Sequence, residues 1–240
     1  MNLYPVVILA GGLATRLRPI TEKIPKALVE VGDQPFISQQ LRLLRSCGIR
    51  QVVISAWYKG EMIRDVVGDG KKWGIDVAYV FDGDSPLGTG GAVRRALNNI
   101  SGPFFVLYGD SYLPCDYASI QAYFDRYEKL GLMTIFHNDG RWDNSNVEAE
   151  NGKIIRYDKK NRSPQMQYID YGLGLFRPTA FSHLVDGCPA DLAEIYQVLL
   201  AQEQLLAYQV EQRFYEIGSF EGLSELDQIL SRSPDQFIQR

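Results

Sequence analysis

Four short apolar runs limit how this chain can fold. "YPVVILA" (Tyr4–Ala10), "QVVISA" (Gln51–Ala56), "IDVAYV" (Ile75–Val80) and "PFFVLYGD" (Pro103–Asp110) are too short for buried helices and rich in β-branched or aromatic residues. They predict buried strands. Segments of helical period lie between them. Gln34–Cys47 places Phe36, Ile37, Leu41 and Leu44 on one face and stops at Gly48. Glu61–Val67 is a shorter helix, and "GTGGAVRRALNN" is a loop that opens another. Strand alternating with helix predicts a mostly parallel sheet covered on both faces.

The second half changes character. Asn151-Gly152 separates two extended runs, a hairpin signal. "MQYIDYGLGLF" (Met166–Phe176) and "RFYEIG" (Arg213–Gly218) read as strands, and Asp191–Leu200 and Phe220–Leu230 as helices. No internal repeat, linker or hexapeptide array interrupts the pattern, so the expectation is one mixed α/β domain.

With 240 residues, 45% of them hydrophobic, the chain can bury a sizeable core. A net charge of -4 with no second basic face argues against nucleic acid. No apolar run approaches the length of a membrane helix, and no signal-peptide layout follows Met1. Cys47, Cys115 and Cys188 are odd in number and far apart, which favours reduced thiols and a cytoplasmic location. His137 and His183 alone leave little material for zinc sites or nucleophile triads. Self-association is not legible in the sequence.

"LAGGLATRLRPITEKIPKALVEVG" (Leu9–Gly32) gathers Arg16, Arg18, Lys23 and Lys26 on one glycine-rich loop. The loop leaves the first strand at the edge where open α/β sheets bind ligands. Its glycines allow backbone N–H groups to approach a phosphate, and its cations can neutralise one. The common phosphate patterns do not fit: Gly83–Gly88 has the P-loop glycine spacing, but Thr89 stands where lysine is needed, and no G-x-G-x-x-G follows the first strand. The residues alone place phosphate binding only modestly ahead of a solvated surface loop.

The same stretch, continued to Ile37, resembles the signature of the sugar-nucleotidyltransferases, the nucleoside-diphosphate-sugar pyrophosphorylases: L-A-G-G-x-G-T-R-L-x-P-L-T followed by P-K-x-L. Further matches follow in order. "SPLGTGGAV" resembles the family's L-G-T-A/G-G loop, "LYGDS" its G-D metal strand and "YDKKN" its E-K-P lysine motif. "IDYGLGLF" is similar to its N-A-G-I-Y strand and "YEIGS" to its D-x-G-T segment. Within the family the chain is most similar to single-domain mannose- and heptose-1-phosphate guanylyltransferases, with N-acetylmuramate 1-phosphate uridylyltransferases close behind.

The resemblance implies a single Rossmann-like domain over residues 1–240. Residues 1–115 form its nucleotide-binding half, and 116–240 a sugar-phosphate-binding half with a small β-hairpin subregion. It implies nucleotidyl transfer from a nucleoside triphosphate, GTP favoured, to a sugar 1-phosphate of mannose or manno-heptose type. Pyrophosphate leaves, and the nucleotide-sugar feeds cell-surface polysaccharide. Mg²⁺ is the implied cofactor, held by Asp110 and Glu216. Arg16 would hold the β- and γ-phosphates and Lys26 would sit near the α-phosphate. Leu9, Gly11, Gly12 and Gly88 would line the nucleotide site, and Asn146, Lys159, Asp170 and Gly172 the sugar-phosphate site.

The chain departs from the family pattern at four places. Ala14 replaces a glycine, Asp158 and Lys160 flank Lys159 where glutamate and proline are usual, Asp170 replaces asparagine, and Glu216 replaces aspartate. Three other functions compete. A uridylyltransferase would act on an amino-sugar or N-acetylmuramate-type 1-phosphate. A phosphocholine cytidylyltransferase would need an aromatic cage, for which Tyr108, Tyr112 and Trp142 are the candidate rings. A silent nucleotide-sugar sensor would be expected to have lost charged residues that are present here.

Overall fold

The computed structural model describes residues 2–142 and 144–238. Its central sheet has nine strands: β1 Val6–Leu9, β2 Gln51–Ala56, β3 Asp76–Phe81, β4 Phe104–Tyr108, β5 Gly131–His137, β6 Val147–Glu150, β7 Lys153–Tyr157, β8 Tyr168–Phe176 and β9 Leu205–Gln209. Across the sheet the order is β9-β5-β8-β4-β1-β2-β3, with the β6–β7 hairpin joined to the start of β8. Strands β4, β1, β2 and β3 run parallel, as the strand–helix alternation predicts. Strand β8 is antiparallel to both β4 and β5 and makes the sheet mixed.

Side chains of a strand alternate between faces, and here each face has its own core. Val6, Ile8, Val52, Ile54, Phe105 and Leu107 share one apolar cluster, with residues of helices α1 (Phe36–Ser46), α2 (Gly60–Val67) and α4 (Tyr117–Phe124). Val7, Val53, Phe104 and Val106 point the other way, to α3 (Gly88–Ala96) and α5 (Leu192–Ala201). A third cluster seats α6 (Phe220–Arg232) through Leu226 and Leu230 against Val31, Phe36 and Leu43. The Gly32 N–H also donates to Asp227 at 2.8 Å, so α6 is tied to the segment that follows Lys26.

The hairpin turn is as expected, with Asn151 and Gly152 both at positive φ (52° and 74°). Among the strands of the central sheet and the helices that cover it, three have no counterpart in the sequence expectations: β5, β9 and α4. "RFYEIG" contributes less strand than its pattern promises. Only Tyr215–Glu216 pairs, and it does so with Ser111–Tyr112 outside the central sheet, where two residues per strand are all the ladder holds. No helix of the described residues is long and apolar enough to cross a membrane.

Candidate active site

A cavity of about 390 Å³ opens at the carboxyl ends of β1–β4. Leu9, Gly11, Gly12, Gly88 and Asp110, all singled out from sequence, line it together with Lys26. The glycines there do different jobs. A Cβ on Gly109 would lie 2.3 Å from the Leu9 carbonyl oxygen, so only glycine lets β4 run this close to β1 and deliver Asp110 to the cavity floor. The Gly109 N–H donates to that carbonyl at 3.0 Å, which commits one lone pair of a group expected to line the nucleotide site. Gly88 starts α3 at φ +68°, and a Cβ there would meet the Ala190 carbonyl at 2.6 Å. Gly12 has open space around it.

Ala14 keeps the turn of the glycine it replaces, at φ 49° and ψ 47° in the left-handed region. Its carbonyl accepts from Thr21 Oγ1 at 2.9 Å, which holds the loop closed on itself. Beyond it, Arg16 is exposed and takes part in no ion pair among the described residues. A Cβ on Gly218 would sit 3.0 Å from Arg16 Nη2, which places this guanidinium beside the start of α6.

Lys26 Nζ and Asp110 Oδ2 form an ion pair at 2.9 Å. Both side chains are mostly covered, so the pair is screened less than an exposed one. The Ile217 N–H donates to the Asp110 carbonyl at 2.9 Å, and Glu216 pairs with Ser111, so the two carboxylates predicted to hold a metal flank one end of this short ladder. Glu216 folds back onto the head of α6, where the Gly218 N–H and, at 3.0 Å, Ser219 Oγ donate to it. A carboxylate there is favoured by the unsatisfied N–H groups and the positive end of the helix dipole. Among the described residues no three of His, Cys, Asp and Glu gather as a metal nest. Two carboxylates suit Mg²⁺ all the same, which keeps waters and takes substrate phosphate oxygens as further ligands.

The expected sugar-phosphate residues also converge. Lys159 Nζ lies 3.9 Å from Asp170 Oδ2, 3.4 Å from the Tyr108 hydroxyl and 5.1 Å from that ring's centre. Tyr108 lines the cavity, so Lys159 stands at its border. Asp158, where the family has glutamate, accepts from the Asn161 and Lys160 N–H groups at 2.8 and 2.9 Å. Those two amides hold its carboxyl down at about 2 and shape the turn that presents Lys159. Asn146 Oδ1 accepts from the Asp170 N–H at 2.9 Å, and its carbonyl accepts from the Asp158 N–H at 3.0 Å.

Asp170 is almost fully buried. Its carboxylate accepts from the Tyr157 hydroxyl at 3.2 Å and the Gly172 N–H at 3.1 Å. Burial raises its pKa, against the opposing pull of Lys159. Gly172, at φ +95°, sits in an irregularity of β8 between Asp170 and Gly174. A Cβ there would come within 3.2 Å of Ser111 Oγ, so glycine serves both the bulge and the approach of β8 to the site.

Asp82 escaped the sequence reading. It is buried on the cavity wall at the end of β3, where Oδ2 accepts from the Leu87 N–H at 2.8 Å and Oδ1 has no partner among the described residues. Burial raises its pKa, and Arg95, which donates to the Phe81 and Asp82 carbonyls at 2.9 and 2.8 Å, works against that rise. Together these bonds shape the loop that leads to Gly88. The available signal was a carboxylate directly after a strand, followed by a glycine-rich turn.

A glycine-walled cavity at a parallel sheet's carboxyl edge, with a lysine–aspartate pair on its floor, is the architecture of a nucleotide-handling enzyme. Residues 5–233 match the model of the nucleotidyl transferase family, and the chain belongs to it. Among curated proteins it is similar to the mannose-1-phosphate guanylyltransferase catalytic subunit beta of Dictyostelium discoideum, at 29% identity over 88% of this chain and 60% of that one. The chain thus spans less than two thirds of that relative. It is also similar to the D-glycero-alpha-D-manno-heptose 1-phosphate guanylyltransferase of Campylobacter jejuni, at 32% identity over 64% of this chain and 67% of the other. A third relative is the N-acetylmuramate alpha-1-phosphate uridylyltransferase of Neisseria meningitidis, at 27% identity over 91% and 95%. The fold is shared with a putative glucose-1-phosphate thymidylyltransferase from Bacillus anthracis at a TM-score of 0.84 and 22% identity, over 96% of both chains.

Proposed function

We propose that this chain transfers a nucleotidyl group from a nucleoside triphosphate, GTP preferred, to a sugar 1-phosphate of mannose or manno-heptose type. The products are a nucleotide-sugar and pyrophosphate. The observation that carries the reading is the Lys26–Asp110 pair at 2.9 Å on the floor of the glycine-lined cavity. The relatives named for guanylyl transfer support the choice of base and sugar.

In this reaction a phosphate oxygen of the sugar 1-phosphate attacks the α-phosphorus, and the bond to the β-bridging oxygen breaks. Two polyanions must meet, so neutralisation and alignment supply most of the catalysis. Lys26 exchanges Asp110 for the α-phosphate. Arg16, in no ion pair among the described residues, binds the β- and γ-oxygens and stabilises the departing pyrophosphate. Lys159, steadied by Asp170 and Tyr108, holds the incoming phosphate in line. Asp110 and Glu216 would hold Mg²⁺, which when bound supplies positive charge to the phosphates. Backbone groups around Gly11 and Gly88 present hydrogen bonds to the base edge, and Asp82 shapes the wall beside them.

Pyrophosphate release with each of the four nucleoside triphosphates against a panel of sugar 1-phosphates tests the proposal. The expected result is fastest turnover with GTP and mannose 1-phosphate or a manno-heptose 1-phosphate. A clear preference for UTP with an amino-sugar or muramate-type phosphate would replace it with the second reading, favoured by the near full-length match to the Neisseria relative. Binding without pyrophosphate exchange would mark a sensor.

A further inference from the structure

Arg213 lies outside the machinery described so far. Its guanidinium carbon stands 3.4 Å from the centre of the Trp142 ring and 5.0 Å from that of Tyr215. Its Nη1 and Nη2 donate to the two oxygens of Glu225 on α6 at 2.6 and 2.7 Å. A planar guanidinium can stack and form a bidentate pair at once, which a lysine cannot do. Trp142 nevertheless remains 46% exposed, among the most exposed large apolar side chains described.

The loop that carries Trp142 joins β5 to β6 and is folded around the buried Asn138. Asn138 Oδ1 accepts from the Trp142 N–H at 3.1 Å, and its Nδ2 donates to Ser145 Oγ at 3.1 Å. At its far end the loop delivers Asn146, which bonds both Asp170 and Asp158 around Lys159. At its crown, Arg213 fastens the loop two residues from the Tyr215–Glu216 strand that faces Ser111. A half-exposed indole stacked on Arg213, in the loop that leads to Asn146, is costly to leave in water and able to pack on an apolar surface. The C–H face of a sugar ring is such a surface.

We propose that Trp142, fixed by Arg213, is a specificity-determining residue that packs against the sugar ring of the 1-phosphate substrate. Arg213 is the positioning residue that orders it. The inference rests on the sugar-phosphate transfer reading. It assigns the ring's recognition to stacking, whereas Lys159 supplies charge to its phosphate.

The test compares Trp142→Leu, Trp142→Phe and Arg213→Lys in the full chain by two measurements. One is the KM of sugar 1-phosphate against that of the triphosphate. The other is the ratio of Kd for nucleoside diphosphate to Kd for the nucleotide-sugar, read by calorimetry with GDP and GDP-mannose. Trp142→Leu leaves the Arg213–Glu225 pair in place. It is expected to raise the sugar-phosphate KM about tenfold, shift the triphosphate KM by less than about twofold, and erase most of the advantage of GDP-mannose over GDP. Trp142→Phe should restore most of both, and Arg213→Lys should resemble Trp142→Leu. An unchanged sugar-phosphate KM and Kd ratio in Trp142→Leu, or an equal rise of both KM values, overturns the proposal. If no sugar 1-phosphate supports turnover, the transfer reading falls, and the Kd ratio still decides the role of Trp142.

Discussion

Lys26 and Asp110 are 84 positions apart in the chain and meet at 2.9 Å. Asn in place of Asp110 keeps the shape and loses the charge, both toward Lys26 and toward a divalent cation. Turnover of Asp110→Asn is expected to fall at least about a hundredfold, since charge-assisted contacts of ~1.5–3 kcal/mol are lost at two partners. Pyrophosphate release under saturating substrates checks this. At Asp170 the sign runs the other way. Burial raises its folded-state pKa, so ionising it opposes folding. Below the ordinary aspartate value both states are protonated and there is no penalty; the penalty grows as pH rises through that value and is complete above the raised one. Asp170→Asn should therefore be more stable than wild type at about pH 8, and its advantage should vanish toward about pH 3.5. Urea denaturation at several pH values measures it. A constant advantage would mean that Lys159 fully offsets the burial.

Among the elements, the phosphate loop and the head of α6 carry two of the four departures from the family pattern. Ala14 adopts the left-handed conformation that its glycine counterpart tolerates freely. Ala14→Gly should stabilise the protein by about 0.5–1 kcal/mol, the strain relieved less the added freedom of the unfolded chain, as a shift in denaturation midpoint. Glu216 reaches one methylene farther than aspartate, and the structure folds that length back against Gly218 and Ser219. Glu216→Gln should lower kcat strongly and raise the Mg²⁺ concentration for half-maximal rate, with the nucleotide KM changing less. Magnesium titrations that overlay wild type would reduce Glu216 to a cap of α6. Element existence was legible where the period was strong, as in β1–β4 and α1–α3. β5 escaped although "GLMTIFH" is buried over most of its length: its opening residues Gly131, Leu132 and Met133 lack the β-branched or aromatic character that marked β1–β4. The residues from 213 to 218 read as one strand because aromatic character marks them, yet Arg213 and Phe214 are spent on stacking with Trp142, Phe136 and Tyr171.

For the molecule as a whole, the motifs of the first half foretold which segments line the cavity, because Leu9, Gly11, Gly88 and Asp110 lie at or beyond the carboxyl ends of parallel strands. Partnerships between distant residues were not foretold. Nothing local announces that Trp142 meets Arg213, or that the terminal helix would clamp the segment after Lys26 through Asp227. These depend on how elements pack, which no single stretch encodes. The ion pair on the cavity floor has a consequence at this scale. Lys26 compensates the charge of Asp110, so a divalent cation arriving alone would meet a carboxylate that is already paired. In the proposed reaction triphosphate would draw Lys26 away, and each ligand would then improve the site for the other by the same factor. Mg²⁺ alone should leave the melting temperature nearly unchanged, GTP with Mg²⁺ should raise it by more than the two separately, and Lys26→Met should gain a response to Mg²⁺ alone. An enzyme working this way would count coincidences: it would ignore the constant background of free magnesium and assemble its centre only when nucleotide arrives.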